Sequence, residues 1–378
     1  MRIYLDNAAT TAIDQEVLQE MLVVMQEYYG NPSSIHADGR KVRTIIEKAR
    51  KKVASLLNAS PSEIFFTSGG TEADNMAIRR GILDYGMNHV ITSPLEHHAV
   101  LHTLEAMERE GHITLEYLDV DAKGHVDLIQ LEESLKKYPK TFVSLMHANN
   151  EIGTLLDIEK VSELCAKYEA LFHTDTVQTM GHFAHDLSRL NVAFLTGAAH
   201  KFHGPKGVGF LYINHRIKIN PFILGGAQER NMRGGTENVY GIVGLAKALE
   251  LAYTHLDEHR AYIQGLKDYM IDQLQQHIPE VRFNGELDPD KSLYTVLNVS
   301  FPEMEMADML LFNLDIAGIS ASGGSACSSG SNIGSHVLGA IGAQSNRPAI
   351  RFSFSKFNTK EEVDATVKTL KELCLEKV

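Results

Sequence analysis

Lys201 stands in Ala198-Ala199-His200-Lys201-Phe202-His203-Gly204-Pro205-Lys206-Gly207, a run of small residues directly after an apolar segment. An amine in such a run can approach a ligand closely. Burial, or cations such as His200 and Lys206, would lower its proton affinity and let it attack an aldehyde. A solvated loop lysine is the ordinary alternative. Asp175 ends the apolar run Leu171–Asp175, and Gln178 follows three residues on. A carboxylate there can keep a heterocyclic nitrogen protonated, and the amide can donate to a ring oxygen. Taken alone, an aspartate capping the next turn is the simpler reading.

Thr67-Ser68-Gly69-Gly70-Thr71-Glu72-Ala73-Asp74 follows a strand pattern and opens a helix pattern. Its glycines expose backbone N–H groups at a helix N-terminus, which suits a phosphate, and Thr71 is expected to cap the helix. The spacing is neither a Walker A loop nor a dinucleotide fingerprint. Glu96-His97-His98-Ala99 offers an imidazole for ring stacking and proton transfer near neutral pH, with His97 and His98 not distinguishable by residue type. Cys327 is bracketed by Ser320-Ala321-Ser322-Gly323-Gly324-Ser325-Ala326 and Ser328-Ser329-Gly330-Ser331. A loop so poor in apolar side chains is expected to be exposed and movable, and an exposed thiolate is a strong nucleophile. Cys165 and Cys374 lie in helical apolar patterns and read as buried and inert. Arg351, in Ile350–Phe354, offers a two-pronged match to a carboxylate, although a salt-bridged strand arginine is the plainer reading.

Elements that must carry these groups are legible between residues 60 and 215. Strand patterns at Glu63–Ser68, His89–Ser93, Thr114–Leu118, Phe142–Met146, Leu171–Asp175, Val192–Thr196 and Val208–Ile213 alternate with helix patterns at Ala73–Gly81, Ala99–Glu110, Leu128–Lys137 and Ile158–Ala170. That alternation predicts an α/β fold with a mostly parallel seven-stranded sheet, whose strands bind ligands at their carboxyl ends. A helix at Val239–His255 leads to a smaller α+β region with helices at Ala261–His277, Met306–Asn313 and Glu361–Leu375 and strands at Val296–Ser300 and Ile350–Phe354.

The 378 residues carry a formal net charge of −12, which argues against a nucleic-acid partner. Three cysteines form no disulfide framework and suit a reducing compartment. With no membrane-length apolar run and no signal-peptide pattern at the start, a cytoplasmic protein is expected. Eighteen histidines raise the rival reading of a metal carrier. Their scatter, without CxxC or HExxH spacing, argues against it, and no metal ligand set is expected.

Together the motifs resemble those of class V, fold-type I pyridoxal-phosphate (PLP) enzymes, specifically IscS/NifS-type cysteine desulfurases. The likeness runs from Tyr4-Leu5-Asp6-Asn7-Ala8-Ala9-Thr10 to Arg351-Phe352-Ser353, through SGGTEADN, EHHAV, HANNEIG, HTDTVQ, AAHKFHGPKG, RGGTENV and SGGSACSSG. It implies that PLP is carried by Lys201, with Asp175 at the pyridine nitrogen, Gln178 at the phenolic oxygen and His97 stacked on the ring. Gly70, Thr71, Ala198 and His200 would hold the phosphate, and Thr236 would reach the phosphate of a neighbouring subunit, implying a homodimer. Asn150 would contact cofactor and substrate, and Arg351 the carboxylate of L-cysteine. Cys327 would take the sulfur as a persulfide, leaving alanine, and its persulfide could hold a transferred iron–sulfur cluster briefly.

The resemblance also implies a large domain over 13–255 and a small one over 1–12 and 256–378. Two departures stand out. Ala198 replaces a serine common in the family, removing one phosphate hydroxyl. The chain also ends soon after Glu361–Leu375, without the tail that longer members use to dock a scaffold. The sulfur acceptor, whether an iron–sulfur scaffold or a tRNA-thiolation enzyme, is therefore open. Selenocysteine lyase or another PLP-dependent C–S lyase is the near alternative.

Overall fold

The computed structural model describes residues 2–304, 307–323, 334–343 and 346–375. After a short strand β1 (Ile3–Tyr4) come helices α1 (Gln15–Glu27) and α2 (Ala37–Leu56), which the reading from residue 60 onward did not anticipate. The alternating stretch then gives β2 (Ile64–Thr67), α3 (Gly70–Tyr85), β3 (His89–Thr92), α4 (His98–Arg109), β4 (Thr114–Tyr117), α5 (Leu128–Lys137), β5 (Thr141–Ser144), α6 (Ile158–Lys167), β6 (Leu171–Asp175), β7 (Phe194–Ala198) and β8 (Gly209–Ile213). These seven strands form one sheet in the order β2-β8-β7-β6-β5-β3-β4. The run from β4 to β7 is parallel, whereas β8 is antiparallel to both β2 and β7. The sheet is thus mixed at one side and parallel where Asp175 sits.

Side chains alternate across the sheet because successive residues of a strand point to opposite faces. Val90, Phe142 and Phe194 face α3 and α4, while their neighbours Ile91, Val143 and Leu195 face α2, α5 and α6. Both faces are covered, so the central strands carry no exposed residue.

Helix α7 (Val239–Thr254) packs on α1 and α2 and is followed by α8 (Leu256–His277), β9 (Arg282–Asn284), β10 (Val296–Ser300), α9 (Leu310–Ile316), β11 (Ile319–Ser320), α10 (His336–Ala340), β12 (Ala349–Ser353) and α11 (Lys360–Leu375). Here β12-β10-β9 make an antiparallel sheet, and β1 pairs in parallel with β11. A separate apolar cluster joins Ile3 and Leu5 to Ile263, Met270, Val299, Phe352 and Val367. The N-terminal segment therefore packs with the last third of the chain, and an Asp6–Ser353 bridge continues that pairing. Among the described residues, no helix is long and apolar enough to cross a membrane.

Candidate active site

The carboxyl ends of β6 and β7 and the N-termini of α3 and α4 meet at one edge of the sheet. β6 delivers Asp175 there, 5% exposed, with Oδ1 accepting the Val177 N–H at 2.8 Å. The turn-capping bond foreseen as the plain reading is present, yet it engages only one oxygen. Burial, reinforced by the nearby charge of Asp74, pushes the Asp175 carboxyl up to about 7, while Lys201 pulls it back. Asp74 on α3 is likewise pushed up to about 7 by burial and approaches His173 Nε2 at 3.4 Å.

β7 ends at Ala198 and passes through a short 3-10 turn that contains His200 and Lys201. Lys201 Nζ donates to the carbonyls of Ala8 and Ala9, the latter at 3.0 Å. Gln178 Nε2 donates to the same Ala8 carbonyl at 3.0 Å, so amine and amide are gathered at one backbone oxygen. His200 Nδ1 meets Thr10 Oγ1 at 3.3 Å. Burial, together with Lys201 and Lys206, holds the His200 imidazole down near 4.

Helix α3 begins at Gly70, not after a threonine cap. Gly69 is its N-cap and supplies no side-chain bond, and Thr71 lies exposed in the first turn. The expected capping role of Thr71 is thus corrected: the helix end keeps its N–H groups for an external acceptor. A Cβ on Gly70 would sit 2.8 Å from Val177 Cγ2 and 3.7 Å from Ala198 Cβ, so this turn is pressed against the residues flanking Asp175 and His200. Gly209 permits the same closeness from β8, since a Cβ there would lie 2.6 Å from the Gly197 carbonyl.

His97 and His98 separate cleanly. His97 is the N-cap of α4, its Nδ1 accepting the Ala99 N–H at 3.1 Å. Burial and then the charge of Lys201 hold its imidazole down to about 4. His98 turns away, stacks on His102 at 4.6 Å and meets His336 at 3.3 Å. Arg351 is 1% exposed; Nη1 donates to the Asn150 carbonyl at 2.9 Å and Nη2 to Asp6 Oδ1 at 2.8 Å, while Nε has no partner among the described residues.

Thr236 is exposed and lines a cavity of about 160 Å³ with Thr67 and Ser68 at the end of the chain's own β2 and Gly207 just before β8. Cys327 lies outside the described residues. Cys165 is fully buried and Cys374 partly so, and burial pushes both thiols up, Cys374 to about 12.

Sequence reasoning missed five groups. Asp6 and the carbonyls of Ala8 and Ala9 come from a segment read only as motif. Glu96 is 1% exposed, accepts the Met146 N–H through Oε1 at 2.8 Å and keeps Oε2 unpartnered. Its only signal was its place before two histidines. Asp74 could have been suspected as an acid in an otherwise apolar helix face.

The described residues suit an anionic aldehyde cofactor with a basic ring nitrogen. They offer an uncapped helix end, a lysine amine, a planar neutral imidazole and a buried acid of raised proton affinity.

Residues 3–366 match the aminotransferase class-V family. A cysteine desulfurase IscS of Dictyoglomus turgidum is 44% identical over 98% of this chain and 94% of its own. A putative cysteine desulfurase IscS 1 of Bacillus subtilis is 44% identical, covering 97% of each. Among solved structures, a NifS-like protein superposes with a TM-score of 0.90 at 40% identity over 99% of both chains. SspA, solved in complex with cysteine, does so with a TM-score of 0.81 at 32% identity, over 95% of this chain and 100% of its own. The chain belongs to the class-V aminotransferase family and, within it, to the IscS/NifS-type cysteine desulfurases.

Proposed function

We propose that this chain uses PLP to remove sulfur from L-cysteine, releasing L-alanine and leaving a persulfide on Cys327. The observation that carries the reading is the gathering of Lys201 and Gln178 on the Ala8 carbonyl, beside Asp175. Bound PLP would supply an electron sink for the substrate's α-carbon. Gly70 and Thr71 at the open end of α3, with His200 and the Ala198 backbone, are suited to its phosphate, and Asp175 to its ring nitrogen.

Within this site His97 is neutral near pH 7, and its Nδ1 is engaged in the helix cap. Its proton therefore resides on Nε2, where the ring can donate. Lys201 is then the base for the substrate's α-proton. Arg351 Nε–H, held by Asn150 and Asp6, is suited to the substrate carboxylate. In the transfer the substrate's C–S bond breaks and an S–S bond to Cys327 forms. The β-carbon keeps the electron pair and takes a proton to become the alanine methyl.

Separate apolar clusters support a large domain over 13–255 and a small one over 1–12 with 256–378. Tyr29, Ile35 and Leu224 are 87%, 91% and 82% exposed, and a Gln228–Ser33 contact brings the segments of Ile35 and Leu224 side by side. An apolar surface of this kind supports a homodimer. We assign a cytoplasmic setting and a sulfur-accepting partner, an iron–sulfur scaffold or a thiolation enzyme, on the family likeness alone. Cys327→Ala should abolish alanine formation from cysteine while the visible absorbance of bound PLP persists; sustained turnover contradicts the reading.

A further inference from the structure

The segment between β8 and α7 carries Thr236 and adopts an unusual backbone. Glu229, Arg230 and Asn231 are three consecutive non-glycine residues with φ of 44, 58 and 66°. Such a left-handed run persists only where its surroundings enforce it. Glu229 is 5% exposed, and its carboxylate accepts from both Arg50 Nη atoms at 2.7 and 2.8 Å and from the Phe66 N–H at 2.9 Å. Four residues on, Arg233 donates to the two oxygens of Glu72 at 2.9 and 3.1 Å. Glu72 also accepts the Ser68 N–H at 2.9 Å.

One anchor therefore ties the segment to α2 and β2, and the other ties it to the first turn of α3, on either side of the connection that opens on Gly70 and Thr71. A surface loop is normally left loose, and burying an ion pair carries a desolvation cost. Two bidentate pairs and three strained residues are excessive for mere closure of a connection. They are what exact placement of the exposed Thr236 would need.

We propose that Glu229 and Arg233 are positioning residues that set Thr236 against the phosphate of PLP in the partner subunit. Glu229 fixes the base of the loop to β2, and Arg233 fixes its middle to Glu72. The inference rests on the reading that Thr236 acts across a dimer; the alternative is action within one chain, where Thr236 lines a cavity with Ser68.

The test uses mixed dimers of two differently tagged chains loaded with PLP. One chain carries Lys201→Ala, so only the other chain's lysine gives the visible band, whose loss is followed after dilution into a scavenger of free PLP. With Glu229→Gln on the Lys201→Ala chain, release should be about tenfold faster, the size of one weakened charge-assisted hydrogen bond. With Glu229→Gln on the lysine-bearing chain, release should match the otherwise unaltered mixed dimer. The reverse pattern, equal acceleration in both arrangements, or no change in either overturns the proposal.

Arg233→Gln, which leaves Glu72 its Ser68 bond, is run in both arrangements with the same expectation and decides the matter if Glu229→Gln does not fold. Thr236→Val separates the two layers. If it leaves release across the dimer unchanged, the reading beneath fails. If it speeds release across the dimer while neither Glu229→Gln nor Arg233→Gln does, only the positioning roles fail.

Discussion

Two buried arginines, Arg50 and Arg351, do different work, and their hydrogen bonds tell them apart. Arg50 pairs every nitrogen: Nε with Glu47 at 3.1 Å, Nη1 with the Ile64 carbonyl and Glu229 at 2.7 Å each, and Nη2 with Glu229 at 2.8 Å. The Phe66 ring lies 4.7 Å from its guanidinium carbon. Arg351 is as deeply buried but leaves Nε without a partner among the described residues. The carboxylates divide in the same way. Glu229 is engaged through both oxygens, whereas Glu96 keeps one oxygen unmatched among the described residues. Buried polar groups are satisfied where a region is complete in itself. An orphan atom alone is no site, since Arg347 Nε lacks a partner too. What gives Arg351 its meaning is that one of its partners, Asp6, lies in the same short segment as the Ala8 and Ala9 carbonyls that receive Lys201.

Four perturbations would sharpen or break this contrast. Lys201→Ala should lower alanine formation by about 10³-fold, the middle of the range for a group that moves a proton in the rate-limiting barrier. A fall of less than tenfold breaks the assignment. Glu229→Ala strands a buried guanidinium and should cost about 3–5 kcal/mol in urea unfolding. A cost below about 1 kcal/mol would mean that the pair is not the structural one. Arg351→Gln should instead act on binding, raising KM for cysteine by about 10–100-fold, as expected for one lost charge-assisted contact. If it mainly destabilises the fold, the two arginines are alike after all.

The smallest effect concerns pH. His97, His173, His182, His185, His200 and His203 are all held near 4, first by burial. The unfolded chain binds those protons near pH 6.5, so each imidazole contributes stability above that value, lost as pH falls through about 4. Asp74 and Asp175, pushed up to about 7 by burial, act in the opposite sense, because the folded chain holds their protons more tightly. His147, held well below its ordinary value by burial, and Glu96, held well above, add one group to each side of this balance. Six groups outweigh two, so the urea midpoint of the cofactor-free protein should drop between about pH 6.5 and 4. A midpoint that holds or rises there refutes the balance.

Much of this arrangement was legible before any coordinates. Strand patterns such as Leu171–Asp175 and Val296–Ser300 match β6 and β10 residue for residue, because buried β-branched and aromatic runs bounded by turns have few other solutions. Helix α2 went unread although Val42, Ile46, Ala49 and Val53 form a buried stripe, since its many charges mask the period. The antiparallel course of β8 is a matter of topology and leaves no mark in residue type. β1 and β11, two residues each, are too short to carry a period. The Lys201 and Arg351 partners were hidden for another reason: the Ala8, Ala9 and Asn150 carbonyls are backbone atoms, which every residue has.

The pairing of β1 with β11 and of Asp6 with Ser353 also dictates an order of events during synthesis. Residues 3–6 leave the ribosome long before their partners at 319–353 emerge. Until then the carbonyls of Ala8 and Ala9 have no fixed place, and the lysine amine has no seat. A nascent chain can assemble much of its central sheet, but its capacity to retain a cofactor must arise late, and abruptly.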